Sequence, residues 1–172
     1  PDGRAFIVRP VLPEDEPAFH DLFARMTPEE VRLRFFAPKR ALGHQLAARM
    51  TQLDYDRDMA FVVATLEPPG QARIVGVIHL NGDSDGKCGE FAVMLETAMT
   101  GLGLGPLLMR RMLDHARTIG LREVVGEVLR VNAPMLKLCK LFGFRHSVSE
   151  DDPSIFHVIL TMESAPQRRI TG

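Results

Sequence analysis

Three glycines at alternate positions, in Thr100-Gly101-Leu102-Gly103-Leu104-Gly105-Pro106, stand between an apolar strand pattern and a long amphipathic helix pattern. Glycine keeps side chains out of the way and lets the backbone turn tightly, so successive N–H groups and the positive end of the next helix can converge on an anion. A pyrophosphate suits such a cradle, which makes a nucleotide-bearing cofactor the first expectation. The spacing sets this loop apart from two other phosphate cradles. A dinucleotide fingerprint would need its third glycine at residue 108 or 106, where Leu108 and Pro106 stand. An NTPase loop would need Gly-Lys-Ser or Gly-Lys-Thr, and neither follows. The plain alternative is a turn that caps a helix, and the glycines alone leave both readings open.

Other reactive side chains are sparse. Cys88 and Cys139 lie far apart, form neither a disulfide framework nor a Cys-x-x-Cys motif, and read as free thiols. The histidines at 20, 44, 79, 115, 146 and 157 include no pair at metal-site spacing, so no metal is expected. A net charge of −1 with 25% charged residues, and no run of Lys or Arg, argues against a nucleic-acid partner. No stretch approaches the ~20 apolar residues of a membrane span, and no charged-then-apolar leader is visible. The expectation is a cytoplasmic protein with no membrane partner. The 172 residues suit one domain, 1–172, and a first residue of proline rather than methionine leaves room for an excerpt from a longer chain.

The elements that must position the loop follow from periodicity. Residues 5–11 read as a strand, and Pro13-Glu14-Asp15-Glu16 opens a helix carrying Phe19, Leu22 and Phe23 at helical spacing. Thr27-Pro28-Glu29-Glu30 supplies an N-cap, a proline at the first helical position and a capping-box acid for a second helix to about Phe36. Leu42 to Met50 reads as a third short helix. Residues 60–64 and 74–78, rich in β-branched types and joined through Pro68-Pro69-Gly70, predict a hairpin. After the turn at 81–86, residues 90–95 alternate so that Phe91, Val93 and Leu95 share a face. In the helix after the loop, Leu104, Leu107, Leu108, Met112, Ala116 and Ile119 form an apolar stripe, and Gly120 ends it. Pro106 reads as the first helical residue. A strand at 122–129, a helix at 133–142 and strands near 144–149 and 155–162 complete a mixed sheet with helices packed on it.

This order of elements resembles the GCN5-related N-acetyltransferase (GNAT) fold over nearly the whole chain. The loop at 100–105 is similar to that family's acyl-CoA pyrophosphate signature, Gln/Arg-x-x-Gly-x-Gly/Ala, with Thr100 in place of Gln or Arg. Asn132-Ala133-Pro134-Met135-Leu136-Lys137-Leu138, ending in Leu141-Phe142-Gly143-Phe144, resembles its second cofactor motif. A narrower resemblance, to the acetyltransferase domain of bacterial Pat-type protein lysine acetyltransferases, rests on Arg32-Leu33-Arg34-Phe35-Phe36, Asp54-Tyr55-Asp56-Arg57, Glu90-Phe91-Ala92-Val93 and the loop itself. The resemblance implies an α/β (α+β) fold with a mixed, mostly antiparallel sheet of about seven strands. It also implies helices on both faces and a splayed strand pair that admits acyl-CoA.

The same resemblance implies a site. Glu90 matches the glutamate that serves as general base, accepting the proton of an amine whose pKa of ~10.4 otherwise keeps it charged. Partial burial beside Ala92 and Met94 is expected to raise its own pKa toward that task, the alternative being a strand-start glutamate in solvent. The backbone of Gly101, Leu102, Gly103, Leu104 and Gly105, with Thr100 and the following helical turn at Pro106, is expected to hold the acetyl-CoA diphosphate. Val93 and Leu95 offer backbone groups to the pantetheine arm, and Asn132 bonds that arm or caps a helix. Cys139 stands where relatives place an acidic tyrosine and reads as a buried hydrophobe, which leaves no general acid assigned. Asp54, Tyr55 and Asp56 are weak acceptor-side candidates against a solvated turn, as are Arg32 and Arg34 against helix-surface cover.

The expected activity is transfer of acetyl from acetyl-CoA to a lysine ε-amine of a protein acceptor such as an acyl-CoA synthetase, by direct attack in a ternary complex. No Cys-His or Ser-His arrangement suggests a covalent intermediate. A synthetase-like domain in cis is a possible neighbour. The rivals are acetylation of a small amine and a non-catalytic acyl-CoA sensor.

Overall fold

The computed structural model describes residues 5–35, 50–51, 53, 58–96, 99 and 101–162. Seven strands form one sheet in the order β1-β2-β3-β4-β5-β7-β6. They are β1 (Ile7–Pro10), β2 (Asp58–Ala64), β3 (Ile74–Gly82), β4 (Cys88–Leu95), β5 (Glu123–Leu129), β6 (Arg145–Val148) and β7 (Ile155–Thr161). All neighbours are antiparallel except β4 and β5. This is the mixed, mostly antiparallel seven-stranded sheet expected of the GNAT fold. The hairpin through Pro68-Pro69-Gly70 forms as read, with Gln71 and Ala72 N–H donating to the Pro68 carbonyl.

Helices cover both faces. On one, α1 (Glu16–Arg25) and α2 (Pro28–Phe35) pack Phe19, Leu22, Phe23 and Val31 against Ala60, Val62, Val77 and Met94. Thr27 caps α2 through its hydroxyl, which accepts the Glu30 N–H at 3.2 Å. On the other face, α3 (Leu104–Thr118) lays Leu108, Met109, Met112, Leu113 and Ala116 on Phe61, Val63, Ile78, Leu80 and Phe91. The last helix, α4 (Ala133–Leu141), contributes Cys139 to the same core. Of the predicted third helix at 42–50 only Met50 is described, and it is helical.

Two readings of α3 are corrected. Its buried stripe is centred on 108, 112 and 116 as expected, but Met109 and Leu113 join it while Leu107 and Ile119 are exposed. Periodicity gives the middle of a stripe; its edges depend on where the neighbouring elements lie. Pro106 is the third helical residue, because the helix starts at Leu104 with Gly103 as its cap.

Candidate active site

The site follows from how β4 leaves β5. Their parallel pairing joins Cys88 to Glu123, Gly89 to Val124 and Glu90 to Val125, and then stops although both strands continue. The next pair would be Phe91 and Gly126. A Cβ built on Gly126 would lie 2.6 Å from Cε1 of Phe91, so only glycine lets that ring pack across β5. The ring then meets Phe144 with centroids 5.3 Å apart. From this wedge onward the strands diverge, giving the splayed pair expected for an acyl-CoA arm.

A cleft of about 100 Å³ opens there, lined by Arg34, Glu90, Phe91, Ala92, Val93, Glu127, Val128, Asn132 and Met135. Glu90, Val93 and Asn132 are thus brought together as the sequence implied. Leu95 is not among the lining residues; it ends β4 opposite Gly76. Thr100, Asp54, Tyr55 and Asp56 lie outside the described residues. A larger open groove of about 390 Å³ runs between α1 and residues 71–73. Its arginines, Arg25 and Arg73, are committed to Glu96, with N–H groups on Oε1 at 3.0 and 2.7 Å, and among the described residues it contains none of those expected to do the chemistry.

Alternation along β4 puts Glu90 on the α1/α2 side of the sheet with Ala92 and Met94, opposite Asn81 of β3. The partial burial expected for Glu90 is not found: its side chain is exposed. The cause is position, since Glu90 lies next to the polar end of β3 at exposed Asn81, whereas Met94 lies deep under α1. Arg34, half-buried at the end of α2, shares the cleft. Burial pushes its guanidinium below the ordinary value, and the Glu90 carboxylate opposes that shift. Arg32, by contrast, points to solvent and bonds Glu29 at 3.3 Å.

His79, opposite Ala92 on the same face, is buried, and its Nε2 lies 3.2 Å from the Met50 carbonyl. A carbonyl only accepts, so Nε2 carries the proton. Burial, with the Arg34 charge behind it, pushes the imidazole down to about 4. It is neutral at physiological pH and ties residue 50 to the sheet beneath the site.

The glycine loop takes left-handed turns just before α3. Gly101 and Gly103 both have φ of 80°, the left-handed region that side-chain-bearing residues avoid. A Cβ at either would meet nothing within 4 Å, so conformation and not crowding accounts for the glycine. The first intrahelical bond of α3 runs from Leu107 N–H to the Gly103 carbonyl at 3.2 Å. The N–H groups of Leu104 and Gly105 therefore precede the helical ladder, and Pro106 has none. Gly105 lies beside α4, 3.7 Å from Leu138 measured from an added Cβ, so the loop borders the second motif.

Asn132 caps α4: its Oδ1 accepts the Met135 N–H at 3.3 Å. Cys139 is buried, and burial pushes its thiol up to about 11, which fits a core residue and not a proton donor. Glu127 was missed in the sequence. The signal was its place two residues beyond Val125 on β5, which a parallel register with Glu90 carries to the same face.

The chain belongs to the GNAT acetyltransferase family, whose domain model matches residues 5–145. Enzymes of this family use acetyl-CoA. Among individual relatives, the chain is 32% identical over 153 residues to Acetyltransferase PA5475 of Pseudomonas aeruginosa, covering 88% of this chain and 80% of that protein. In structure it is similar to the GNAT domain of S. lividans PAT, with a TM-score of 0.82 at 20% identity, covering 94% of this chain and 93% of that one. It is also similar to spermidine N-acetyltransferase from Vibrio cholerae, with a TM-score of 0.69 at 17% identity, over 91% of this chain and 95% of that one. No helix among the described residues is long and apolar enough to cross a membrane.

Proposed function

We propose that this N-acetyltransferase acts on the ε-amine of a lysine in a protein acceptor, by direct attack in a ternary complex. The observation that carries the reading is Glu90: a carboxylate exposed at the mouth of the cleft where β4 and β5 part, open to a lysine presented on a large surface. The four stretches that resemble Pat-type enzymes support the same acceptor, as does the likeness to the S. lividans PAT domain.

The residues fit acetyl-CoA on two independent counts. Left-handed glycines and helix-start N–H groups form an anion cradle, and the parted strands leave main-chain groups for an extended arm. On this reading the backbone at 101–105 holds the diphosphate, and Val93 and Leu95 hold the pantetheine. Bound acetyl-CoA would supply an activated thioester, whose C–S bond breaks as the amine nitrogen bonds the acetyl carbon, with coenzyme A leaving as the thiolate. Glu90 takes the proton that the lysine ammonium must lose, directly or through one water. Asn132 fixes the start of α4 against the cleft. The working compartment on this reading is the cytoplasm, and an acyl-CoA synthetase, free or in cis, is the proposed acceptor.

The test is incubation with acetyl-CoA and a lysine-rich acyl-CoA synthetase, alongside a panel of polyamines and amino acids, read by mass spectrometry. Acetyl-lysine on the synthetase is expected. Acetylation confined to small amines would replace the acceptor, and acetyl-CoA binding without thiol release for any acceptor would favour a sensor.

A further inference from the structure

The β4/β5 register carries more than Glu90. Val125 is the last residue of β5 paired to β4, so Glu127, one full alternation further, stands on the diverging arm and on the same face as Glu90. Both side chains line the one cleft. Glu127 in turn is opposite His157 of β7, whose Nε2 is 3.7 Å from Glu127 Oε1. Both members of that pair are about half exposed, so the carboxylate faces solvent and the cleft together.

Charge decides what this arrangement can do. Among the described residues lining the cleft, the charged ones are Arg34, Glu90 and Glu127, one positive against two negative. Arg34 shares the cleft with Glu90 and sets a positive charge against that carboxylate. Without Glu127 the lining would be neutral on balance. With it, the described lining carries a net negative charge, the added carboxylate standing on β5 and Arg34 on α2.

We propose that Glu127 is the residue that binds the positive charge of the acceptor, making the enzyme selective for cationic amines, while Glu90 removes the proton. The inference deepens the amine-transfer reading and rests on it. Glu127 sets the approach of the ammonium and leaves the acetyl-CoA end of the site alone.

The experiment uses two defined probes, a lysine peptide with uncharged neighbours and 1,4-diaminobutane. Steady-state kinetics of the wild type, Glu127→Gln and Glu127→Asp are compared at low salt and at about 0.5 M salt, where surface attraction is screened. Glu127→Gln is expected to raise the acceptor KM roughly 10-fold, the loss of one charged hydrogen bond, with kcat within about 2-fold and the acetyl-CoA KM unmoved. Salt should raise the wild-type acceptor KM toward that of the variant, and Glu127→Asp should recover part of the loss. An unaltered acceptor KM, or a fall in kcat accompanied by a weaker acetyl-CoA KM, overturns the assignment. If the wild type acetylates neither probe, the amine-transfer reading fails by itself. Calorimetric titration of 1,4-diaminobutane into the coenzyme A-loaded protein then decides Glu127: binding lost in Glu127→Gln upholds it, and binding unchanged or absent from both rejects it.

Discussion

Gly126→Ala tests why the strands part. The added Cβ would sit 2.6 Å from Phe91 Cε1 and 3.0 Å from both Cδ1 and Cζ, against ordinary contacts beyond 3.4 Å. The ring must therefore retreat by several tenths of an ångström, and it has little room, because it is buried and packed on Phe144 at 5.3 Å between centroids. Overpacking of this kind costs about 2 kcal/mol. For a chain of this size that corresponds to a fall in Tm of roughly 4–8 °C. The cleft starts at this contact, so acetyl-CoA affinity should weaken as well. Thermal unfolding and calorimetric titration read the two effects. A double-mutant cycle with Phe91→Leu isolates the contact: the pair should be coupled by more than about 1 kcal/mol, with Gly126→Ala costing less once the ring is gone. A Tm unchanged by Gly126→Ala, or additive costs in the cycle, would refute the wedge.

Three further outcomes follow from the geometry. Gly103→Ala at φ 80° should cost about 1–2 kcal/mol of left-handed strain, weakening acetyl-CoA roughly 5- to 30-fold by calorimetry if the loop must hold that shape to bind. His79, whose imidazole is pushed below its ordinary 6.5 to about 4, binds more protons unfolded than folded between those values. Stability should thus be fully present above pH 6.5 and fall as the pH drops toward 4, by up to about 3 kcal/mol, and His79→Gln should flatten that limb of a Tm-versus-pH series. Glu96→Ala, which removes the buried carboxylate shared by Arg25 and Arg73 while Arg25 keeps the Ile74 carbonyl, should cost about 1–3 kcal/mol, whereas Arg73→Ala, at a half-exposed partner, should cost less than about 1 kcal/mol in denaturant titrations.

Much of the fold was legible because its signals are local. The β2–β3 hairpin, β4, the glycine loop and the starts of α2 and α4 each rest on residues within a few positions of one another, such as Thr27-Pro28 and Asn132. What the sequence concealed is long-range. That Arg34 of α2 comes to lie beside Glu90 depends on how the helix packs across the sheet, and no spacing encodes it. Glu127 reads as one of two outward glutamates on β5 until the parallel register puts it opposite the cleft. The exposure of Glu90 depends on its neighbour in β3, Asn81, which only the antiparallel register identifies. Pro106 was shifted within its helix because Gly103 caps α3 three residues earlier, and proline at a third helical position leaves no trace distinct from one at the first.

The central claim is that Glu90 accepts the acceptor's proton at the mouth of a cleft whose acetyl-CoA end it does not touch. Single-turnover acetylation of a lysine acceptor by Glu90→Gln, with acetyl-CoA affinity measured on the same material, tests it most directly. A rate lower by about 100-fold or more is expected, with acetyl-CoA affinity within about 2-fold of wild type. An unchanged rate across a pH series would contradict it.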